Sequence, residues 1–121
     1  MKRILLVEDD PFLIDIYTTK LKEVGFKIDV AEDGKKAFRL LTQKTPDLLV
    51  LDIVLPHIDG WEILRKIREK KQFRDLPVII LSNLGQRQEV KKGLELGATK
   101  YLIKAHYTPS EIVEQIKEIL K

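Results

Sequence analysis

Short apolar runs recur five times along the 121 residues, and each is followed by a segment with helical spacing. The runs are Ile4–Val7, Ile28–Ala31, Leu48–Leu51, Val78–Leu81 and Tyr101–Ile103. Three of them consist only of Ile, Leu and Val, which is typical of parallel strands buried on both faces. Asp29 interrupts the second run, which predicts that this strand lies at an edge of the sheet.

The segments between the runs are predicted to be amphipathic helices. Two apolar stripes have helical spacing, one formed by Leu13, Ile16, Tyr17, Leu21 and Val24 and the other by Ile112, Val113, Ile116, Ile119 and Leu120. Pro11 is expected in a first helical turn and Gly25 just past a helix end. Thr108-Pro109-Ser110-Glu111 has the pattern of a capping box. Strict alternation of strands and helices predicts a single α/β domain over 1–121, a doubly wound (βα)₅ fold with helices on both faces.

Composition narrows the functional classes. The chain has no cysteine, which excludes disulfides, thiolate catalysis and Cys-ligated zinc. The apolar run after Met1 is too short for a signal peptide, and no run is long enough to span a bilayer, so we expect a cytoplasmic protein that does not enter the membrane.

The net charge of +3 arises mainly in and after one predicted helix. The cations there are Arg65, Lys66, Arg68, Lys70, Lys71 and Arg74. The stretch has no row of aromatic residues among these cations, as a base-stacking surface requires, so we interpret it as a solvated helix face and expect no nucleic-acid binding. The net charge slightly favours an acidic partner.

Polar residues stand where the predicted strands end. Strand 1 ends in Glu8-Asp9-Asp10, and Asp52, Ser82 and Lys104 follow the third, fourth and fifth runs. Each of these alone is as well explained as a helix cap, turn residue or solvated charge, and Asp10 and Asp33 are interpreted as caps. Together, however, they meet at the sheet edge where doubly wound proteins bind ligands.

Carboxylates brought together at one edge repel each other. Two carboxylates about 4 Å apart repel by about 4 kcal/mol at an effective dielectric constant near 20. Lys104 can offset one charge of Glu8, Asp9 and Asp52, and the remainder favours a divalent cation. A set of oxygen ligands indicates Mg²⁺ rather than zinc.

These motifs, taken together, resemble the receiver domains of two-component response regulators over the whole chain. The matching segments are Val7-Glu8-Asp9-Asp10, Leu51-Asp52 followed by Leu55-Pro56 and Asp59-Gly60, Leu81-Ser82, and Tyr101-Leu102-Ile103-Lys104. The resemblance implies a flavodoxin- and CheY-like parallel sheet with strand order 2-1-3-4-5. It also implies a signalling domain rather than an enzyme. We expect the single-domain type, because no output region follows Lys121 in this sequence; a piece of a longer protein is the alternative.

By this resemblance Asp52 is the phosphoacceptor, and the donor is a histidine kinase or a histidine phosphotransfer protein. Asp9 would be a direct Mg²⁺ ligand together with Asp52 and the backbone carbonyl of Val54, and Glu8 would assist through metal-bound water. Ser82 and Lys104 would bind the phosphoryl oxygens. These roles agree with the general need of phosphoryl transfer for a positioned nucleophile and neutralising cations.

The resemblance further implies a switch in which Ser82 moves toward the phosphoryl group and Tyr101 rotates inward behind it; a simply packed tyrosine is the alternative. The downstream partner would contact the surface of helix 4, strand 5 and helix 5, with Lys91, Lys92, Glu95 and Tyr107. Kinase docking would involve Phe12, Ile16 and the stretch Ala105-His106-Tyr107, although Phe12 is equally well explained as core.

The sequence departs from the family pattern in two places. Lys104 is followed by Ala105 instead of the usual proline, so either the peptide bond is trans and the loop is rearranged, or a cis bond is retained at a cost of about 2.5–4 kcal/mol. Val54 and Leu84 stand where the family tunes acyl-phosphate hydrolysis, and neither side chain can hydrogen-bond an attacking water. We therefore expect a long-lived phosphoryl group.

Two other classes of function are weighed against this one. A binding module that signals without phosphorylation would share the whole fold. A small α/β phosphotransferase or cofactor-binding enzyme is disfavoured, because no Gly-x-Gly-x-x-Gly follows a strand and Val54 stands where a haloacid-dehalogenase-type phosphatase has its second acid. Loop residues His57 and His106 are interpreted as solvated.

Overall fold

A computed structural model describes all residues, 1–121, and contains one parallel five-stranded sheet. The strands are β1 (Arg3–Val7), β2 (Lys27–Ala31), β3 (Leu48–Leu51), β4 (Val78–Ser82) and β5 (Lys100–Ile103), and their order is β2-β1-β3-β4-β5. All five predicted runs are strands, the predicted order is correct, and β2 lies at an edge. The predicted α/β fold is confirmed.

Five helices alternate with the strands. They are α1 (Pro11–Glu23), α2 (Gly34–Gln43), α3 (Gly60–Glu69), α4 (Arg87–Glu95) and α5 (Pro109–Ile119). The side chains of Asp10 and Asp33 accept hydrogen bonds from the first turns of α1 and α2, as expected of N-caps, and Thr108 forms the predicted capping box with Glu111. Gly25 follows the end of α1 with a φ of 96°, which glycine adopts without strain.

Alternation of side chains along the strands creates two apolar layers. Leu5 and Val7 of β1 belong to the core that includes Ile63 and Ile67 of α3, and this core also contains residues of α2. Ile4 and Leu6 belong to the opposite core, which contains residues of α1 and α5. Both faces of the sheet are therefore covered, and polar groups that must reach solvent or ligands are left to the strand ends.

Two expectations about individual side chains are wrong. The sequence predicts that Val24 belongs to the apolar stripe of α1, but Val24 caps the C-terminus of that helix and is 45% exposed. The sequence also predicts that Arg68 lies on a solvated face, but its guanidinium donates hydrogen bonds to the carbonyl groups of Phe73, Leu76 and Gly97 at 2.7–3.2 Å. Burial lowers the pKa of Arg68, with Asp75 opposing this effect. Arg68 thus joins the end of α3 to the turn before β5.

None of the helices has the length and apolar character needed to cross a membrane.

Candidate functional site

Strand register brings the predicted acids together at the carboxyl edge of the sheet. Val7 of β1 is paired with Leu51 of β3, so Glu8 and Asp52 follow at the same height. The backbone N–H of Asp52 donates to the carbonyl of Val7 at 3.0 Å, which continues the ladder beyond the strand. On the other side, Ser82 is paired with Ile103, and Lys104 comes next.

Lys104 joins the two buried acids in one ion cluster. Its Nζ lies 2.6 Å from Oε1 of Glu8 and 2.7 Å from Oδ2 of Asp52. Glu8 is 1% exposed and Asp52 is 6% exposed, so these charges are largely removed from water. A buried acid and a buried base are tolerated when they are paired and hydrogen-bonded, as they are here.

Backbone donors satisfy the remaining carboxylate oxygens. The N–H of Ile53 donates to Oδ1 of Asp52 at 2.6 Å, and the N–H groups of Asp9 and Asp10 donate to Oε2 of Glu8 at 3.1 Å. The carboxylate of Asp52 is therefore held at both of its oxygens. Its position is fixed before any ligand arrives.

Burial and neighbouring charges shift two pKa values at this site. Burial raises the pKa of Glu8; the hydrogen bond from Lys104 opposes this, and the charge of Asp52 adds to it. For Lys104, burial disfavours the charged form, but the hydrogen bonds to Asp52 and Glu8 and the negative charges of these acids together outweigh burial and raise its pKa. Lys104 is accordingly a cation at neutral pH.

Asp9 adds a third carboxylate to the cluster. Oxygen atoms of Glu8, Asp9 and Asp52 lie within 4.8 Å of one another, and Asp9 is exposed. Lys104 compensates one of these three charges and Asp9 has no cation within 4.0 Å. Oxygen donors with surplus negative charge and an open side suit a hard divalent cation such as Mg²⁺. The residues present therefore fit the metal that the sequence predicts.

The peptide bond between Lys104 and Ala105 is trans, as are all others in the chain. Lys104–His106 form a 3₁₀ turn, and the alternative of a retained cis bond is thus wrong. The lysine nevertheless reaches both acids, because its long side chain spans the end of β4, which lies between β5 and β3.

Ser82 and Tyr101 are connected through the backbone of Leu84. The Leu84 N–H donates to the hydroxyl oxygen of Ser82 at 3.3 Å, and the Tyr101 hydroxyl donates to the Leu84 carbonyl at 2.6 Å. Burial, with contributions from Glu89 and Asp52, raises the pKa of Tyr101 to about 12, so the hydroxyl keeps its proton. The loop between β4 and α4 is thereby tied to the aromatic ring on β5.

Trp61, which the sequence analysis did not single out, lies beside Tyr101. The ring centroids are 6.4 Å apart, and Nζ of Lys92 lies 4.6 Å from the Trp61 ring centroid. Lys92, which is exposed on α4, therefore contacts α3 as well, and its expected part in the α4–β5–α5 surface stays a prediction. A Cβ at Gly93 would lie 2.7 Å from the Tyr101 ring, so α4 packs directly on the tyrosine.

Other expected residues lie around this edge. Phe12 is 71% exposed at the start of α1, which excludes a core role, and Val54 is 62% exposed in the loop after Asp52. His57 and His106 are exposed, as expected, and neither belongs to the acidic cluster. His57 has a φ of 68°, the only positive value outside glycine.

A comparison with known protein families identifies the family of this chain. The model of the response regulator receiver domain matches residues 4–117. The chain belongs to this family. Response regulators are signalling proteins that receive their signals from histidine kinases.

Individual relatives agree with this assignment. The receiver domain is 35% identical over 121 residues to the DNA-binding dual master transcriptional regulator RpaA of Synechocystis, covering 100% of this chain and 50% of RpaA. The chain thus spans about half the length of the curated relatives it matches. The expectation that it binds no nucleic acid stays a prediction.

Solved receiver structures superpose closely on it. The BeF₃-activated N-terminal receiver domain of RstA from Klebsiella pneumoniae is 28% identical with a TM-score of 0.89, covering 98% of both chains. The Mn²⁺-bound form of the response regulator Rcp1 is 27% identical with a TM-score of 0.85, covering 98% of this chain and 91% of Rcp1.

Gly60 allows the receiver domain to close tightly around Asp52. A Cβ at Gly60 would lie 2.3 Å from the Asp52 carbonyl oxygen, and the Gly60 N–H donates to the Ile53 carbonyl at 2.8 Å. Since the obstructing atom is backbone, the loop itself would have to move. We expect Gly60→Ala to lower the free energy of unfolding by about 2–3 kcal/mol, measured by urea denaturation.

Gly34 provides the matched control, because it too is the first residue of a helix and follows an aspartate N-cap. A Cβ there would meet the flexible end of Ile63 at 3.1 Å. Gly34→Ala should therefore cost clearly less than Gly60→Ala. Equal losses in the two variants would contradict the close approach to Asp52 as the cause.

Proposed function

We propose that residues 1–121 form one receiver domain in which Asp52 accepts a phosphoryl group from a phosphohistidine of a histidine kinase or phosphotransfer protein. The observation that carries this proposal is the geometry of Asp52. It is a buried carboxylate, held by Ile53 and Lys104, at an edge where two further acids stand. Such a carboxylate is a nucleophile held in position, with the Lys104 ammonium and the proposed Mg²⁺ site beside it to neutralise charge.

In the proposed transfer, one bond to phosphorus forms as another breaks. The Asp52 carboxylate attacks phosphorus while the bond to the imidazole nitrogen of the donor breaks, and that nitrogen keeps the electron pair. The product on this chain is an acyl phosphate. The Lys104 ammonium, now shared between Glu8 and Asp52, is within reach to pair with a phosphoryl oxygen, which supports a role in charge stabilisation.

Glu8, Asp9, Asp52 and the backbone carbonyl of Val54 are proposed to hold Mg²⁺. When bound, the ion supplies positive charge that offsets the charge on the transferring oxygens. The chain's own part is to present hard oxygen ligands with surplus negative charge, and the exposure of Asp9 leaves the site open to solvent.

The switch is proposed to run from Ser82 through Leu84 to Tyr101. Ser82 is fully buried, and its hydroxyl is already tied to the loop that accepts the Tyr101 hydrogen bond. A phosphoryl group adds a charge of about −1.5 to −2 and three acceptor oxygens, which attract the Ser82 hydroxyl. Movement of Ser82 would therefore displace Leu84, whose carbonyl accepts the hydrogen bond from Tyr101.

Two surfaces are proposed for partners. Exposed Phe12, with Ile16 and the turn Ala105–Tyr107, would meet the kinase or phosphotransfer protein. The face of α4, β5 and α5, with Lys91, Lys92, Glu95 and Tyr107, would meet the downstream protein target. The turn Ala105–Tyr107 begins directly after Lys104, so the first surface starts beside the site.

Labelling with a small phosphoryl donor tests the phosphoacceptor. Intact-mass measurement after incubation with phosphoramidate and Mg²⁺ should show one added phosphoryl group, about 80 Da, on the wild-type chain. The added mass should be absent from Asp52→Asn, which keeps the size of the side chain but removes the nucleophilic carboxylate. The label should then decay slowly, because Val54 and Leu84 offer no side-chain partner to water.

Asp15→Asn on the exposed side of α1 is the matched control and should label like the wild type. An unlabelled wild-type chain would favour the alternative of a binding module that signals without phosphorylation. Labelling that persists in Asp52→Asn would place the acceptor elsewhere. Loss of the label within seconds would contradict only the expected lifetime.

Metal binding can be tested without phosphorylation. A ligand that binds only the folded state at ten times its dissociation constant raises the free energy of unfolding by about 1.4 kcal/mol. We expect MgCl₂ to raise the urea midpoint of the wild type and to have little effect on Asp9→Ala, since Asp9 is exposed and its removal leaves the Lys104 cluster intact. Asp15→Ala should respond as the wild type does, whereas an equal response in Asp9→Ala would argue against the proposed ligands.

Trp61, the only tryptophan, provides a readout for the switch because it lies 6.4 Å from the Tyr101 ring. Phosphoramidate with Mg²⁺ should change the Trp61 emission of the wild type and leave Asp52→Asn unchanged. Tyr101→Leu should still be labelled, but most of the emission change should disappear. An undiminished change in labelled Tyr101→Leu would show that the tyrosine is not the moving part.

A further inference from the structure

A groove runs between α2 and α3, away from the acidic site. Two cavities, of about 450 and 480 Å³, lie along it, and both are lined by Phe38 of α2 and Lys66 of α3. Because they share these residues, they form one continuous depression. Its ends are marked by His57 and by Phe73.

The floor of the groove is apolar. Leu41 and Phe73 are buried, and Phe38 is half-buried and packs against the same core. Each cavity falls within the range of about 300–1,000 Å³ found for ligand pockets. There is room for apolar side chains of another molecule.

The rim of the groove is positively charged and poorly compensated. Three cations, Lys35, Lys66 and Lys70, line the groove with two acids, Asp33 and Glu69. Lys35 and Lys70 have no carboxylate within 4.0 Å, and neither do four further cations on α2 and after α3, namely Lys36, Arg39, Lys71 and Arg74. Asp33 caps α2, Glu69 is paired with Arg65, and Lys66 lies only at the 4.0 Å limit from Glu62. Cations not paired within the chain are available to an external anion.

We propose that this α2–α3 groove docks an acidic segment of a protein partner, with apolar side chains over Phe38 and Asp or Glu residues on the lysines of the rim. The unpaired lysines favour an acidic partner, and the apolar floor favours a polypeptide with apolar side chains. A nucleic acid is less well matched, because neither phenylalanine ring of the groove is free for base stacking. Phe73 is buried, and Phe38 is half-buried with Nζ of Lys66 at 5.8 Å from its ring centroid. The proposal does not depend on phosphorylation of Asp52.

A synthetic peptide tests the groove directly. The probe is a short fluorescein-labelled peptide with Leu-Phe at its centre and Asp and Glu on both sides, and its binding is followed by fluorescence anisotropy. Binding should weaken strongly between about 0.1 M and 1 M salt, because the Debye length falls from about 10 Å to 3 Å. Replacing the central Leu-Phe by Ser-Ser should also weaken it, since the floor then gains no apolar contact.

Charge reversal locates the site on the chain. The triple variant Lys35→Glu, Lys66→Glu, Lys70→Glu should weaken peptide binding roughly tenfold or more, the sum expected from three rim ion pairs. A control with the same change in net charge, Lys2→Glu, Lys22→Glu, Lys27→Glu, alters exposed lysines outside the groove and should bind nearly as the wild type does. All six positions are exposed, so both variants should fold.

Amide chemical shifts of the ¹⁵N-labelled chain supply an independent reading, with changes expected in 33–42 and 57–75. Equal weakening in the two triple variants, shift changes confined to other elements, or no binding of the peptide would each overturn the proposal. Tighter binding of an oligo-dT of equal charge at the same lysines would overturn it in favour of a nucleic-acid surface.

Discussion

The receiver site depends on one constraint, the pairing of Lys104 with two buried acids from different strands. Without a cation, Glu8 and Asp52 would repel each other by about 4 kcal/mol at a separation near 4 Å. Lys104 contacts both acids, at 2.6 and 2.7 Å, and so allows the two carboxylates to lie close together at the ends of β1 and β3. The same pairing makes the site responsive, since any new charge at Asp52 alters the partners of the lysine.

Two close contacts of glycine connect this cluster to the rest of the molecule. Gly60 brings α3 against the backbone of Asp52, and Gly93 brings α4 against the ring of Tyr101. Tyr101 in turn is hydrogen-bonded to the loop that holds Ser82. Tightly packed elements transmit a displacement because they have little free volume to absorb it. The fold therefore provides a short physical connection from the acidic edge to α4.

The sequence was sufficient for the fold and for the members of the site, because continuous apolar runs define the buried strands and the residues that end them must share one edge. It was insufficient for contacts made across the chain. Arg68 is expected from the sequence to be a solvated helix charge, yet its partners are carbonyls as far away as Gly97. Lys92 is exposed on α4 as expected, but its contact with the Trp61 ring is not evident from the sequence. Such contacts depend on helix orientation, which local periodicity does not determine.

The modest net charge of +3 conceals two opposite electrostatic regions. Residues 34–75 carry ten Lys and Arg against six Asp and Glu, whereas the other 79 residues carry twelve against thirteen. One of the six acids, Asp52, is already neutralised by Lys104 inside the site, so the α2–α3 face is more positive than the count suggests. At physiological salt, fields beyond about 8 Å are screened, and a partner senses local charge rather than the sum. An acidic site that attracts cations and a basic groove that attracts an acidic segment can therefore operate on the same small domain.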